Sequence, residues 1–298
     1  MRPAADWHIT EDLDDFLSGA DDFLRSRPAL HTMQLTVMER LRTHGSARYG
    51  YGTAGSAQYG DGAALFGRLE RAGEVEATFH RLPSRGLAPT PLTPEQADGL
   101  AARLAALGHS LPYVTADQNT ATAFAEAWQR HTGATPTLRA PLHLYRLGTL
   151  TPQEPVPEGQ GRFAGPEDHE QVVHWCHEFA AAVDELLPDS WADTRFADKH
   201  FTFWETPDGT PVSIAGSTSK IGGMIRVDPV YTPAHLRGRG YAGAVTAEVT
   251  RAALAKGATD VVLFTDPGNP TSNALYRRLG YVLITDWAVY DFSGPTPE

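Results

Sequence analysis

The chain has 298 residues, 41% of them hydrophobic and 20% charged, with a formal net charge of −11. Those proportions describe a soluble globular protein long enough for two domains, and no apolar run approaches the roughly 20 residues of a membrane span. The acidic balance argues against nucleic acid as a partner, because non-specific binding there depends on Lys and Arg displacing counterions.

Thr10-Glu-Asp-Leu is expected to N-cap a first helix, with Ile9 and Leu13 as a hydrophobic staple and Phe16, Leu17, Phe23 and Leu24 on its apolar face. A second element is expected over His31–Arg42. Arg48–Gly55, Ala63–Leu69 and Val75–Leu82 alternate as strands. Thr93-Pro-Glu-Gln is a helix start, and the helix it opens is expected to run to Leu107-Gly108. A short strand at Tyr113–Thr115, a helix over Asn119–Thr132 and a strand over Leu138–Leu147 close the first half.

Residues 149–161 are rich in Pro, Gly and Glu and carry no apolar period, which places a domain boundary there. The second half is expected to begin with a short strand at Arg162-Phe163. The spacing of Val172, Trp175, Cys176, Phe179, Val183 and Leu186 predicts a helix over Pro166–Leu187, and a shorter helix is expected over Ser190–Lys199. Phe201–Glu205 and Val212–Ser217 read as a hairpin. An apolar strand, Ile225–Tyr231, then meets a basic turn, Arg237-Gly-Arg-Gly-Tyr-Ala242, that opens a helix of about four turns. Asp260–Thr265 is a further strand, a further helix follows Asp-Pro-Gly-Asn-Pro and ends at Leu279-Gly280-Tyr281, and Asp286–Phe292 is the last strand.

The halves look duplicated. Residues 111–122 sit opposite 262–272, and the helices around them end alike at glycines, with an offset near 150 residues. The copies differ where chemistry belongs. In Gln96-Ala-Asp-Gly-Leu-Ala101 the Thr93-Pro94 start puts Gln96 and Gly99 inside a helix already under way. In Arg237–Ala242 the two glycines precede the helix and leave its first N–H groups open to an anion. Glu126 stands opposite Tyr276.

That turn is neither a P-loop nor a dinucleotide fingerprint, since neither Gly-Lys-Ser/Thr nor Gly-x-Gly-x-x-Gly is present. Alone it is a generic phosphate cradle. Together, VYTPAHLRGRGYAGAV and NPTSNALYRRLGY resemble the GNAT acetyltransferase superfamily over roughly Arg162–Phe292. The whole chain is similar to a tandem bacterial type with a degenerate N-terminal copy. The resemblance implies an α/β fold with mixed sheets, two tandem GNAT folds. It implies a degenerate domain over 1–148, a linker over 149–161 and a catalytic domain over 162–298.

It also implies acetyl-CoA as co-substrate. Backbone groups of Val230, Tyr231 and Thr232 would pair with the pantetheine arm. Arg237, Gly238, Arg239, Gly240, Tyr241 and Ala242 would hold the pyrophosphate, with Asn269 and Asn273 on the pantetheine side. Tyr276 would be the general acid that protonates the departing thiolate. Some family members place a glutamate on the strand before the turn. Arg226 stands there here, with Asp228 close by, so the base is open among a water chain, Glu178, Asp184, Glu185 and Glu205. Trp175, Glu178 and Glu205 are the candidates for the acceptor pocket.

The expected reaction is direct transfer of acetyl to a primary amine of a small molecule or peptide in a ternary complex. The alternatives are another acyl donor, such as succinyl-CoA or an aminoacyl-tRNA, and a non-catalytic acyl-CoA sensor. His169, His174 and His177 are read as surface or packing residues, so no metal is expected. The single cysteine, Cys176, falls on a buried helix face and is read as inert; it excludes an internal disulfide. Met1–Asp15 lacks a signal pattern, so a cytoplasmic monomer or homodimer without a membrane partner is expected.

Overall fold

The computed structural model describes residues 6–45, 64–82 and 85–294. The expected strand Arg48–Gly55 lies outside the described residues. The chain divides into two compact units, one of 1–143 with 285–298 and one of 144–284. The Pro/Gly/Glu-rich segment 149–161 thus falls within the second unit.

The first unit contains β1 (Asp6–Thr10), α1 (Leu13–Ser26), α2 (Thr32–His44), β2 (Leu65–Arg71), β3 (Glu74–Arg81), β4 (Leu87–Pro89), α3 (Pro94–Ala106), β5 (Tyr113–Asp117) and α4 (Gln118–Thr132). It also holds most of β6 (Thr135–Leu147) and the later part of the last strand of the chain, which runs over Tyr281–Ser293. Thr10 ends a strand instead of capping α1. Trp7 and Ile9 alternate as strand residues paired with Leu69 and Gly67, and the cap falls to Asp12, whose carboxylate accepts from the Asp14 and Asp15 amides. α3 starts where its sequence signal says it should. The Thr93 hydroxyl accepts from the Gln96 amide, and the Gln96 side chain accepts from the Thr93 amide, 2.9 Å away. Gly133 stops α4 in the left-handed region, at φ 75°. The core packs Phe79, Leu100, Leu104, Phe124, Trp128 and Phe292 between the sheet and α3 and α4.

The second unit contains β7 (Gln160–Phe163), α5 (His169–Ala182), β8 (His200–Glu205), β9 (Pro211–Ser217), β10 (Met224–Tyr231), α6 (Tyr241–Ala255), β11 (Asp260–Thr265), α7 (Pro270–Arg278) and the start of β12 (Tyr281–Ser293). Strands β7 to β10 form an antiparallel run, and β10 pairs with β11 in parallel. Each unit therefore repeats one order, an antiparallel meander followed by helix, strand and helix. One apolar cluster, with Val227, Val245, Leu263 and Leu279, lies against α6 and α7. Another, with Trp175, Phe196, Phe203 and Ile214, lies against α5.

Two helices expected from the sequence are shorter. Pro166–Asp168 forms a single 3-10 turn, and α5 ends at Ala182. Val183 and Leu186 keep the helical period but are exposed. Asp184 takes a positive φ of 53°, and Glu185 turns away to pair with Arg195. Over Ser190–Lys199 only Trp191–Asp193 is helical, again as a 3-10 turn. Phe196 is buried among the rings of α5 and Trp191, so tertiary packing decides this loop, not local periodicity.

Candidate active site

The parallel pairing of β10 with β11 runs over Met224–Arg226 and Asp260–Val262. β10 continues to Tyr231 and β11 to Thr265, so beyond Arg226 the two strands no longer pair with each other. A register shift against β9 between Val227 and Val230 coincides with this parting, and it contains Pro229, which has no N–H to give a ladder. The result is a wedge between parallel strands whose walls are backbone.

At the top of the wedge, Tyr231 and Thr232 lead through a 3-10 turn, Ala234–Leu236, to the basic turn. Thr232 is buried, its hydroxyl 2.8 Å from that of Ser213. The Arg237 Nε donates to the Thr232 carbonyl at 3.0 Å, which folds the turn back onto β10. Arg239 is exposed and donates to the His235 carbonyl at 3.4 Å. Gly238 and Gly240 take φ values of 77° and 84°, a region that a side chain disfavours. Gly240 is the N-cap of α6, with no side-chain cap and no acid in the first turn. Among the described residues no side chain caps the first N–H groups of α6 at the positive end of the helix. α3, at the corresponding place in the first unit, has its capping box and Glu95 there.

A second constraint acts on Gly240. The Gln153 Nε2 donates to the Gly240 carbonyl at 2.8 Å, and a Cβ on Gly240 would lie 2.7 Å from that nitrogen. A Cβ on Gly243 would lie 2.1 Å from Gln153 Oε1. Residues 149–151 are fixed as well, with the Thr151 amide donating to the Leu279 carbonyl at 3.0 Å. The segment read as a linker is a strap across the start of α6 and the end of α7.

Tyr276 is buried against the α6 cluster, which Val230, Tyr241 and Leu275 also flank, and its ring meets Tyr281 edge-on at 6.1 Å. Burial, then Tyr281, then the charge of Asp228 push its hydroxyl above the ordinary tyrosine range, so it stays protonated at neutral pH. Asn269 and Asn273 serve α7. Asn269 Oδ1 accepts from the Ser272 amide at 3.0 Å as N-cap. Asn273 is buried, donates to the Asp266 and Asn269 carbonyls at 2.7 and 2.8 Å, and accepts from Tyr145 at 3.0 Å. Their side chains hold the helix in place; the Asn273 amide is engaged at both its oxygen and its nitrogen, while Asn269 uses its oxygen for the cap and stands exposed at the start of α7.

On the opposite face of β10, Trp175 is a core residue, edge-on to Phe203 at 5.6 Å and 6.4 Å from Tyr231. Burial, then the Glu178 carboxylate, raise the Tyr231 phenol. Glu205 is buried and bound at 2.7 Å to Arg162, which also grips Asp168 with two bonds, of 2.7 and 2.9 Å. Cys176 is buried, its thiol pushed up to about 12 by desolvation. His169 packs edge-on to Trp191 at 5.8 Å, and His174 faces Glu178.

One cluster had no local signature in the sequence. Asp228 accepts from both Arg195 and Lys199, and Arg195 grips Glu185 with two bonds of 2.7 Å. The Lys199 side chain is 4% exposed. Burial works against the charge of Asp228, but Arg195, Lys199 and Arg226 outweigh it and hold the carboxyl well below its usual range. Burial, with help from Arg195 and Arg226 against the pull of Asp228, brings the Lys199 amine down to about 7. Two cations share one carboxylate with the charge of Arg226 close by, arginines cannot give up a proton, and lysine is the member that can. Asp228 and Glu185 are thereby committed to cations. The Asp–Pro step at 228 and the charges of the 184–199 loop were visible, but residues 33 apart give no periodic signal.

The family model described as FR47-like protein matches residues 216–290. No curated protein matches the sequence. A tandem GNAT protein from the clavulanic acid biosynthesis pathway, solved without acetyl-CoA, superposes at a TM-score of 0.55 with 12% identity, over 98% of this chain and 99% of that one. A GCN5-related N-acetyltransferase from Kribbella flavida superposes at 0.52 with 21% identity, over 73% and 87%. Another from Sphaerobacter thermophilus superposes at 0.53 with 18% identity, over 76% and 79%. At these identities the likeness is one of fold.

Proposed function

We propose that this chain, a tandem GNAT fold whose residues 216–290 match the FR47-like family, is an N-acetyltransferase that moves acetyl from acetyl-CoA to a primary amine. The observation that carries the reading is the parting of β10 from β11 directly below an uncapped helix N-terminus. An extended arm can add to the free edge of β10 at Val230–Thr232 as a further strand. A pyrophosphate can then lie on the N–H groups opened by Gly238 and Gly240, beside Arg237 and Arg239.

In this reading the amine attacks the thioester carbonyl, the C–S bond breaks, and the thiolate takes the Tyr276 proton. The phenol is protonated, as a donor must be, and burial makes it a weaker acid that gives up its proton only as full charge develops on the thiolate. Of the carboxylates near the α5 face, Asp228 and Glu185 are held by Arg195 and Lys199 and Glu205 by Arg162. Glu178, beside Tyr231, is the one we assign to receive the amine's proton. Acceptors of this chemistry are small-molecule or peptide amines, and the site we envisage is that of a cytoplasmic enzyme.

Calorimetric titration with acetyl-CoA tests the assignment. Binding is expected, and Arg239→Glu, which alters an exposed side chain and leaves both glycines in place, is expected to weaken it by about tenfold. Absence of binding to the parent, or equal affinity of the variant, removes the turn from the site.

A further inference from the structure

One side chain of the strap accounts for two glycines at the start of α6. Gly240 takes a positive φ and has a conformational reason to be glycine. Gly243 has none. It lies in the first turn of α6 without a positive φ, where alanine makes the more stable helix. A Cβ on Gly243 would lie 2.1 Å from Gln153 Oε1 and 2.9 Å from its Cδ. Leu275 Cδ1, at 3.0 Å, is the end of a flexible side chain and can give way. A Cβ on Gly240 would lie 2.7 Å from Gln153 Nε2. The Gln153 amide thus lies along the first turn of α6, its nitrogen at Gly240 and its oxygen at Gly243, in the space the two absent side chains leave.

The strap has anchors of its own. The Gly148 amide donates to the Gly280 carbonyl at 2.9 Å, and the Thr151 amide to the Leu279 carbonyl at 3.0 Å. At Gly280, φ 94°, a Cβ would lie 1.8 Å from the Thr149 carbonyl oxygen. Gln153 is therefore delivered to α6 from backbone already fixed against the end of α7, and its bond adds something other than attachment.

What it adds follows from the peptide plane. The Gly240 carbonyl accepts from the Ala244 amide at 3.1 Å, the first bond of the helix, and from Gln153 Nε2 at 2.8 Å. That carbonyl and the Tyr241 N–H belong to one planar unit and point in opposite directions. Holding the oxygen holds the N–H, and two bonds accepted at the oxygen polarise the N–H as a donor. Tyr241 is the first residue of α6, so its N–H has no partner within the helix.

We propose that Gln153 is a positioning residue for the acyl donor, aiming the Tyr241 N–H at the diphosphate through the Gly240 carbonyl and making the strap part of the donor site. This rests on the reading of the basic turn as the place of the diphosphate. Gln153 touches no reacting atom, so its effect belongs to donor affinity and not to the chemical step.

Calorimetric titration of the full chain with acetyl-CoA tests it. Gln153→Ala removes one hydrogen bond and is expected to raise Kd by about five- to tenfold, with the stoichiometry of the parent. Gln153→Glu keeps the size, cannot donate and brings a negative charge, so Kd is expected to rise at least as far. Gly243→Ala favours the helix but displaces the Gln153 amide. Alone it is expected to raise Kd by a similar factor, and in the Gln153→Ala background to change it less than about twofold. Absence of binding to the parent refutes the donor reading of the turn, and this role with it. Binding by the parent with equal Kd in Gln153→Ala, a fall in stoichiometry at constant Kd, or effects of Gly243→Ala and Gln153→Ala that add in full each overturns the role of Gln153 alone.

Discussion

Asp228→Asn removes the carboxylate on which two cations meet. Arg195 keeps both bonds to Glu185, but Lys199, 4% exposed, loses the anion it rests on. Breaking a buried pair from one side costs about 3–5 kcal/mol. Asp228 is itself 22% exposed and Arg195 has its second partner, so the low end applies, about 3 kcal/mol. Lys199→Met is the asymmetric control. It leaves Asp228 on Arg195, fills the stem's volume and removes a desolvated charge, so its cost is about 1 kcal/mol or less. Hydrogen exchange measured on peptides covering β10 reports on the second unit by itself, which bulk unfolding of a two-unit chain does not. Exchange there should quicken by about a hundredfold in Asp228→Asn and by less than about tenfold in Lys199→Met. Equal effects of the two variants, or no effect of Asp228→Asn, would show that the cluster does not hold the 184–199 loop to β10.

Tyr276→Phe keeps the ring in its place against Tyr281 and removes only the hydroxyl, so turnover is expected to fall by about 100-fold while acetyl-CoA affinity stays the same; unchanged turnover removes Tyr276 from the chemistry. His31 and His80 are buried, and desolvation brings both to about 4. The unfolded chain therefore binds more protons than the folded one between about 6.5 and 4, and the first unit loses stability as pH falls through that window. NMR titration of the two rings should give midpoints near 4, and midpoints near 6.5 would contradict their burial as neutral groups.

The elements legible in the sequence were those with a local chemical cause. α3 carries its capping box in four consecutive residues, α4 ends at a left-handed glycine, and β11 is a closed apolar run, so their limits could be read directly. Where long-range packing decides, the local pattern misleads. Val183 and Leu186 extend a helical period into a loop, because the period records apolar spacing and not the pull of Arg195 on Glu185. The sequence of β1 reads as a helix entrance because Ile9 fits a staple as well as it fits a strand against Gly67.

The site divides the same way. The turn and Tyr276 were readable as motif and spacing. Asn269 and Asn273 are readable as positions, but the Asn273 amide is occupied within α7 and its flanks, while Asn269 gives its oxygen to the Ser272 amide. Gly240 was readable as a residue that lets a backbone come close. The second reason for glycine there, the Gln153 side chain lying where a Cβ would be, depends on residues 87 apart and is seen only in the fold.

The most direct measurement of the central claim is release of free CoA thiol from acetyl-CoA on addition of amines, with mass spectrometry of the product. The account predicts thiol release that depends on an amine, saturates with acetyl-CoA and yields an acceptor heavier by one acetyl group. Tight binding of acetyl-CoA with no amine-dependent release across small-molecule and peptide amines would contradict it and leave a protein that holds the cofactor without using it.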